Sequence, residues 1–190
     1  MEMYLKKRNL SDCNQLYPLI IHPDVFPFVR EKPNSYEEYL FLTKKVMEDE
    51  ENGLLISRTI LDEWETPIGV ITLYDMNNGT GFLGTWLGKP YHGKGYNRIA
   101  KEAFFQELFF EKGVESIFLR VRLENIRSQK ALEKIPYVLF ANETRPHILE
   151  QINTNPKNYL YNLYEISKDS FTMYYKTHIQ NEETIQQLEA

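Results

Sequence analysis

The stretch from Pro67 to Leu123 limits the folds open to this chain more than any other, because its hydrophobic period changes twice around a pair of glycines. Pro67 to Tyr74 sets Ile68, Val70, Thr72 and Tyr74 on one face at the two-residue period of a strand. Asn77-Asn78-Gly79 follows, and an Asn-Gly pair accepts the positive φ of a tight hairpin, so Gly81 to Leu87 is expected to return antiparallel. Leu54 to Leu61, rich in β-branched and aliphatic residues, adds a third strand to this meander. Beyond the loop holding Gly93 and Gly95, a helical stretch runs from about Asn97 to Lys112. Ser116 to Leu123 then alternates again, with Ile117, Leu119, Val121 and Leu123 against Phe118, Arg120 and Arg122. Strand, glycine loop, helix and strand in this order imply a parallel βαβ unit and a mixed α/β fold.

The flanks fit the same class. Met3 to Lys7 reads as a first strand, and Ser11-Asp12 offers an N-cap for a helix through about Ile21, which His22-Pro23 ends. His22 to Pro33 is a rigid apolar loop with Pro23, Pro27 and Pro33. Ser35-Tyr36-Glu37-Glu38 is a capping box opening a helix over about 36–51. Asn125 to Ile135 is a short helix stopped by Pro136, and Tyr137 to Glu143 and Tyr159 to Ile166 are late strands. Between those strands, the polar Arg145 to Asn158 is a loop or an insertion with a helical turn. A single domain over 1–176 and a polar C-terminal tail over 177–190 are expected, with no internal repeat.

Composition removes several classes. In 190 residues, 42% hydrophobic and 26% charged, there is enough apolar material for a real core, which excludes a disordered or fibrous chain. No apolar run approaches the roughly 18–20 residues that cross a bilayer, and the first residues lack a signal peptide's layout, so a cytoplasmic protein without a membrane partner is expected. The single cysteine, Cys13, can form no internal disulfide and reads as a small buried residue. No Cys or carboxylate cluster suggests a metal. A net charge of −5 gives no footprint for phosphate backbones, so no nucleic acid is expected as a partner.

The segment Gly84-Thr85-Trp86-Leu87-Gly88-Lys89-Pro90-Tyr91-His92-Gly93-Lys94-Gly95-Tyr96-Asn97 lies between a strand and a helix. Gly93 and Gly95 allow a tight turn, and the amides of 93–97 then face outward where the helix dipole is positive, an arrangement that holds phosphates. It is neither a Walker loop nor a dinucleotide fingerprint, since the third glycine of the latter is replaced by Arg98. Taken alone, the glycine pair fits an ordinary turn before a helix equally well.

In its context of meander, loop, amphipathic helix, strand and the Asn-x-x-Ser of Asn125 to Ser128, the segment resembles the GNAT superfamily of acetyl-CoA-dependent N-acetyltransferases. The family loop Gln/Arg-x-x-Gly-x-Gly/Ala stands here as His92-Gly93-Lys94-Gly95-Tyr96-Asn97, with His92 in place of Gln or Arg and Asn97, a good N-cap, in place of the small last residue. Trp-Leu-Gly-Lys-Pro-Tyr-His-Gly-Lys-Gly-Tyr is similar to the RimJ/RimL branch, whose enzymes acetylate α-amino groups of ribosomal proteins. The resemblance implies a twisted mixed sheet flanked by helices, with a V-shaped cofactor cleft between the fourth and fifth strands. It implies acetyl-CoA as cosubstrate, bound by Trp86, Leu87, Gly88, His92, Gly93, Lys94, Gly95, Tyr96, Asn97 and Asn125. Backbone amides at Trp86 to Gly88 would receive the pantetheine and polarise the thioester carbonyl. Asn125 would hydrogen-bond the pantetheine arm, and Ser128 would protonate the leaving thiolate. Many relatives carry a tyrosine acid four residues after this serine. Leu132 stands there, which excludes that route. Asp75 and Glu124 are the possible general bases, while His22 and His92 are structural or binding residues. Lys134-Ile135-Pro136-Tyr137 replaces the family's Lys-x-Gly-Phe.

By the same resemblance, His22 to Arg30, Tyr36 to Tyr39 and Arg145 to Tyr161 shape the acceptor cleft. Their aromatic and apolar side chains suit a peptide N-terminus, an amino acid, a polyamine or an aminoglycoside. Glu31, Glu37, Glu38 and the run Glu48 to Glu51 allow a polycation, although a solvated helix face is the simpler account of them. The expected function is acetyl transfer to a primary amine, a protein α-amino group or a small molecule, by direct attack in a ternary complex. The alternatives are a detoxifying acetyltransferase for antibiotics or polyamines, and a non-catalytic acyl-CoA-binding regulator. A monomer or homodimer is expected.

Overall fold

In the computed structural model, which describes residues 2–189 and the side chains of 2–178, the α/β alternation read from the hydrophobic period is present. Contacts divide the chain into two units, Met1–Gly113 and Val114–Ala190.

The first unit is built on four antiparallel strands in chain order: β1 (Tyr4–Lys7), β2 (Ile56–Leu61), β3 (Pro67–Asn77) and β4 (Thr80–Leu87). Asn77 pairs with Thr80 across a two-residue turn, and Asn78 (φ 48°) and Gly79 (φ 75°) both take the positive φ expected of that Asn-Gly hairpin. The β2–β3 register shifts between Ile60 and Leu61, and a second irregularity lies in the β3–β4 pair. The register shifts between Tyr74 and Asn77, where Asp75 adopts φ 53°, so a bulge turns the Asp75 side chain out of the strand's alternation.

Helix α1 (Cys13–Ile20) follows a 3₁₀ turn over Leu10–Asp12, and that turn is capped by Asn9, whose Oδ1 accepts from Ser11 N at 2.8 Å. Asp12 holds the N-cap position of α1 as expected of Ser11-Asp12, but its side chain makes no capping hydrogen bond: it is buried and bridges Lys6 and Thr59. Helix α2 (Tyr36–Glu51) opens as its sequence indicates, with Ser35 Oγ accepting from Glu38 N at 3.1 Å. The Glu38 carboxylate reaches one residue further out than in a standard capping box, accepting from Asn34 N at 2.6 Å. Cys13, Leu16, Ile20, Val25, Val29, Tyr39 and Val70 form a core cluster, with Tyr17, Phe26, Tyr36 and Trp86 packed at its margin. Helix α3 (Tyr96–Gln106) continues into a π turn over Glu107–Glu111 and buries Ala100, Phe104, Phe105, Leu108 and Phe109.

Strand β2 is buried along its whole length, which forces its polar residues to find partners. Ser57 Oγ and Thr72 Oγ1 share a hydrogen bond of 2.7 Å. Arg58, with a side chain only 4% exposed, donates to Glu50 Oε1 at 2.6 Å and through Nε and Nη2 to Glu107. Glu50 thus belongs to a buried ion triad joining α2, β2 and the end of α3, rather than to a solvated helix face. Replacing Arg58 by Ala leaves two carboxylates facing each other without their cation, and the expected loss is about 3–5 kcal/mol of unfolding free energy. Chemical denaturation of the two proteins measures it.

The second unit carries three antiparallel strands in the order β5 (Ser116–Arg122), β7 (Tyr161–Ser167) and β6 (Leu139–Phe140), with α4 (Ile126–Glu133), α5 (Pro146–Asn153) and α6 (Lys168–Glu189). Strand β6 is far shorter than the Tyr137 to Glu143 expected. Tyr137 turns into an aromatic cluster with Phe171 and Tyr174, and the Asn142 side chain, instead of a strand backbone, accepts from Leu163 N at 2.8 Å. The polar insertion holds a two-turn helix, α5, with Pro146 at its first position, where a missing N–H costs nothing. Burial pushes the Glu165 carboxyl up, but hydrogen bonds from Arg145 and Ser116 and the Arg145 charge outweigh it and hold the group below the usual carboxylate range. Helix α6 runs through Glu189, so a helix occupies most of the expected polar tail, and Ala190 lies outside the described residues.

Candidate active site

Antiparallel pairing fixes the direction of each amide at the end of β4. Gly88 N donates to Ile68 O at 2.8 Å, and Val70 pairs with Trp86, so Trp86 and Gly88 turn their amides toward β3. Leu87, opposite Gly69, sits at the alternate position, and its N–H points away from β3. Of the three amides expected to receive a pantetheine, one is therefore available. His92 closes the turn that follows: its Nε2–H donates to Leu87 O at 2.8 Å, which makes His92 a structural residue of the loop in the neutral tautomer with Nδ1 unprotonated or in the charged form.

The loop itself has the conformation its glycines permit. Gly93 (φ 74°) and Gly95 (φ 89°) are both left-handed, and Gly95, not Asn97, is the N-cap residue of α3. No side chain caps this helix. Arg98 N and Ile99 N both donate to Gly95 O, at 3.1 and 3.3 Å, while the amides of Gly93, Lys94, Gly95, Tyr96 and Asn97 donate to no group among the described residues. Five successive amides at a positive helix end form an anion cradle. Tyr96 faces elsewhere. Its ring is buried against Tyr91 and its hydroxyl donates to Glu63 Oε2 at 2.5 Å, a bond that, with burial, pushes the phenol up to about 12. It anchors α3 to the turn between β2 and β3. Lys94 is exposed, with Nζ 5.8 Å from the Tyr91 ring centroid, and Asn97 is exposed in the first helical turn.

In the second unit, Asn125 and Ser128 are joined by the helix start they make. Asn125 is the N-cap of α4, and its Oδ1 accepts from Ser128 N at 3.1 Å. The Asn-x-x-Ser spacing is thus the spacing of a cap and its third helical residue. Ser128 Oγ makes no hydrogen bond among the described residues, and Leu132, one turn on, is buried.

The candidate bases separate clearly. Both oxygens of Asp75 are taken by Arg30, Nη1 to Oδ2 and Nη2 to Oδ1, each at 2.9 Å, and the Arg30 guanidinium lies 4.3 Å from the centroid of Tyr74. Burial pushes the Tyr74 phenol up to about 12. Glu124 is exposed at the turn between β5 and α4, with no ion pair among the described residues. His22 Nδ1 accepts from Asp24 N at 3.1 Å, which makes it a turn residue. Of the segments expected around an acceptor, Val25, Val29 and Tyr39 are core residues, whereas Phe28 is 83% exposed. Among the described residues no group of three or more His, Cys, Asp or Glu is placed to hold a metal ion.

The Acetyltransferase (GNAT) domain model matches residues 3–137. No curated protein matches the chain. Among solved structures, it is similar to the spermidine N-acetyltransferase from Vibrio cholerae in complex with CoA and spermine, at 16% identity and a TM-score of 0.71, covering 90% of this chain and 98% of that one. It is also similar to the microcin C7 self-immunity acetyltransferase MccE in complex with acetyl-CoA and AMP, at 20% identity and a TM-score of 0.65, covering 87% and 92%. Identities this low carry the fold alone, but the domain match covers well over half of the sequence, including β1 to β5, the glycine loop and the capped Asn-x-x-Ser helix: the chain belongs to the GNAT acetyltransferases.

Proposed function

We propose that the chain works as one acetyltransferase domain that moves the acetyl group of acetyl-CoA to a primary amine, the α-amino group of a peptide or an amine of a small molecule, by direct attack within a ternary complex. The observation that carries this is the run of five unpartnered amides from Gly93 to Asn97 ahead of an α3 that no side chain caps. Such a cradle fits the pyrophosphate of CoA. That two structural neighbours were solved with CoA and with acetyl-CoA supports the assignment. Acetyl-CoA supplies an activated thioester. The protein's own part is to hold, orient and move protons: Leu87 N–H is the donor for the pantetheine strand, Asn125 fixes the arm, and the Ser128 hydroxyl donates a proton to the departing sulfur. Glu124 takes the amine proton in preference to Asp75, whose lone pairs already serve Arg30. The RimJ/RimL-type motif favours an α-amino acceptor, while the neighbour named for spermidine acetylation favours a small-molecule amine. No helix among the described residues is long and apolar enough to cross a membrane, in keeping with a cytoplasmic enzyme.

Initial velocities over a grid of acetyl-CoA and amine concentrations test this mechanism. Intersecting double-reciprocal lines, with the N-acetylated amine found by mass spectrometry, are expected for a ternary complex. Parallel lines would mean a covalent acetyl-enzyme and overturn direct attack.

A further inference from the structure

The face of β5 that carries Arg120 and Arg122 has a feature that neither the phosphate loop nor the Asn-x-x-Ser helix uses. Both arginines are exposed, and no ion pair engages either among the described residues. Each instead lies over a tyrosine: Arg122 is 3.8 Å from the centroid of the Tyr159 ring and Arg120 is 5.6 Å from that of Tyr161. Stacking orients a guanidinium without consuming its N–H donors, so the fork stays available for a carboxylate or phosphate. Alternate residues on one strand face place the two forks roughly 6–7 Å apart.

The tyrosines are held firmly. Asn155 grips Tyr159 by both backbone groups, Oδ1 accepting from its N–H at 3.1 Å and Nδ2 donating to its carbonyl at 2.7 Å. Asn153 Oδ1 accepts from Tyr161 N at 2.8 Å. The insertion that ends α5 therefore acts as the clamp of an Arg–Tyr ladder. The ladder also abuts the proposed catalytic turn within the same unit, since Arg122 O accepts from Asn125 N at 2.9 Å and from Gln129 Nε2 at 3.0 Å. Two unneutralised cations kept in place in a chain of net charge −5 are the reverse of what a polycationic acceptor needs.

We propose that Arg120 and Arg122, stacked on Tyr161 and Tyr159, recognise an anionic group, a phosphate or carboxylate, on the acceptor amine. This rests on the acetyltransferase function proposed above and names the class of acceptor that its site takes. A bidentate fork reads the planar geometry of either anion, and the pair of forks gives a phosphate more contacts than a lone carboxylate.

Thiol release at saturating acetyl-CoA with ethanolamine, O-phosphoethanolamine, aspartate, an acidic peptide and spermidine tests it, alongside binding of inorganic phosphate to the CoA-saturated protein by calorimetry. An anionic amine is expected to exceed ethanolamine and spermidine in kcat/KM by about tenfold or more, which is what one charge-assisted contact supplies. Arg120→Gln/Arg122→Gln is expected to remove that preference and the phosphate binding, with acetyl-CoA affinity retained, and Arg120→Lys/Arg122→Lys to restore part of both. Preference for spermidine, or phosphate binding that survives the glutamine pair, would overturn the proposal. So would weakened acetyl-CoA binding in that variant, which would assign the arginines to the phosphates of the cosubstrate. Absence of turnover with every amine, while phosphate binding and its loss in the variant persist, would instead contradict the acetyltransferase function and leave anion recognition standing.

Discussion

Gly95→Val is expected to raise the dissociation constant of acetyl-CoA by about 100-fold or more, a loss near 3 kcal/mol. Two costs coincide at this residue. Its φ of 89° is a conformation that a β-branched side chain resists, and it is the N-cap of α3, so the change re-aims the amides of Gly95, Tyr96 and Asn97 together. Gly93 makes the useful contrast. A Cβ there meets nothing within 4 Å, and only its φ of 74° opposes a side chain, so Gly93→Ala should cost roughly 1–2 kcal/mol of backbone strain and weaken binding far less. Calorimetric titration of the three proteins, with circular dichroism to confirm folding, gives the comparison. Wild-type affinity in Gly95→Val would place the cosubstrate's phosphates elsewhere.

Ser128→Ala is expected to lower kcat by about 10²–10⁴-fold with acetyl-CoA affinity retained, the range a positioned general acid supplies. The substitution is clean because the cap of α4 runs from Asn125 Oδ1 to the Ser128 backbone N–H, which alanine keeps, while the hydroxyl it removes has no partner among the described residues. Asn125→Ala behaves differently: it removes the cap, about 1 kcal/mol of helix stability, and disturbs both residues at once. Rapid-quench measurement of the acetylated product separates the two variants. An undiminished kcat in Ser128→Ala would give the proton to another donor or to water.

The parts of the fold legible in the sequence are those set by neighbours in the chain. The two-residue hairpin from Asn77 to Thr80, the Ser35 cap of α2, the alternation of β5 and the short helix that begins at Asn125 all follow from local period and turn chemistry. Caps decided by backbone conformation were less visible. Asn97 is a better capping side chain than any glycine, yet the left-handed Gly95 already ends the loop, and Asp12 holds the N-cap position of α1 with its carboxylate turned to Lys6 and Thr59 instead of the helix amides. Least legible were pairs made across long separations. Arg30 with Asp75, Arg58 with Glu50 and Glu107, and Arg145 with Glu165 each turn a residue that looks like surface charge into a structural contact. The Arg–Tyr ladder is of this kind as well: Arg120 and Arg122 alternate visibly on β5, but their tyrosines arrive from beyond an insertion whose asparagines fix them.

Release of free thiol from acetyl-CoA by the purified chain in the presence of amines tests catalysis most directly. Release above the background without acceptor, and its collapse in Gly95→Val, is the expected result. Silence with every class of amine by a protein that binds acetyl-CoA would contradict catalysis and leave a cosubstrate-binding protein without turnover.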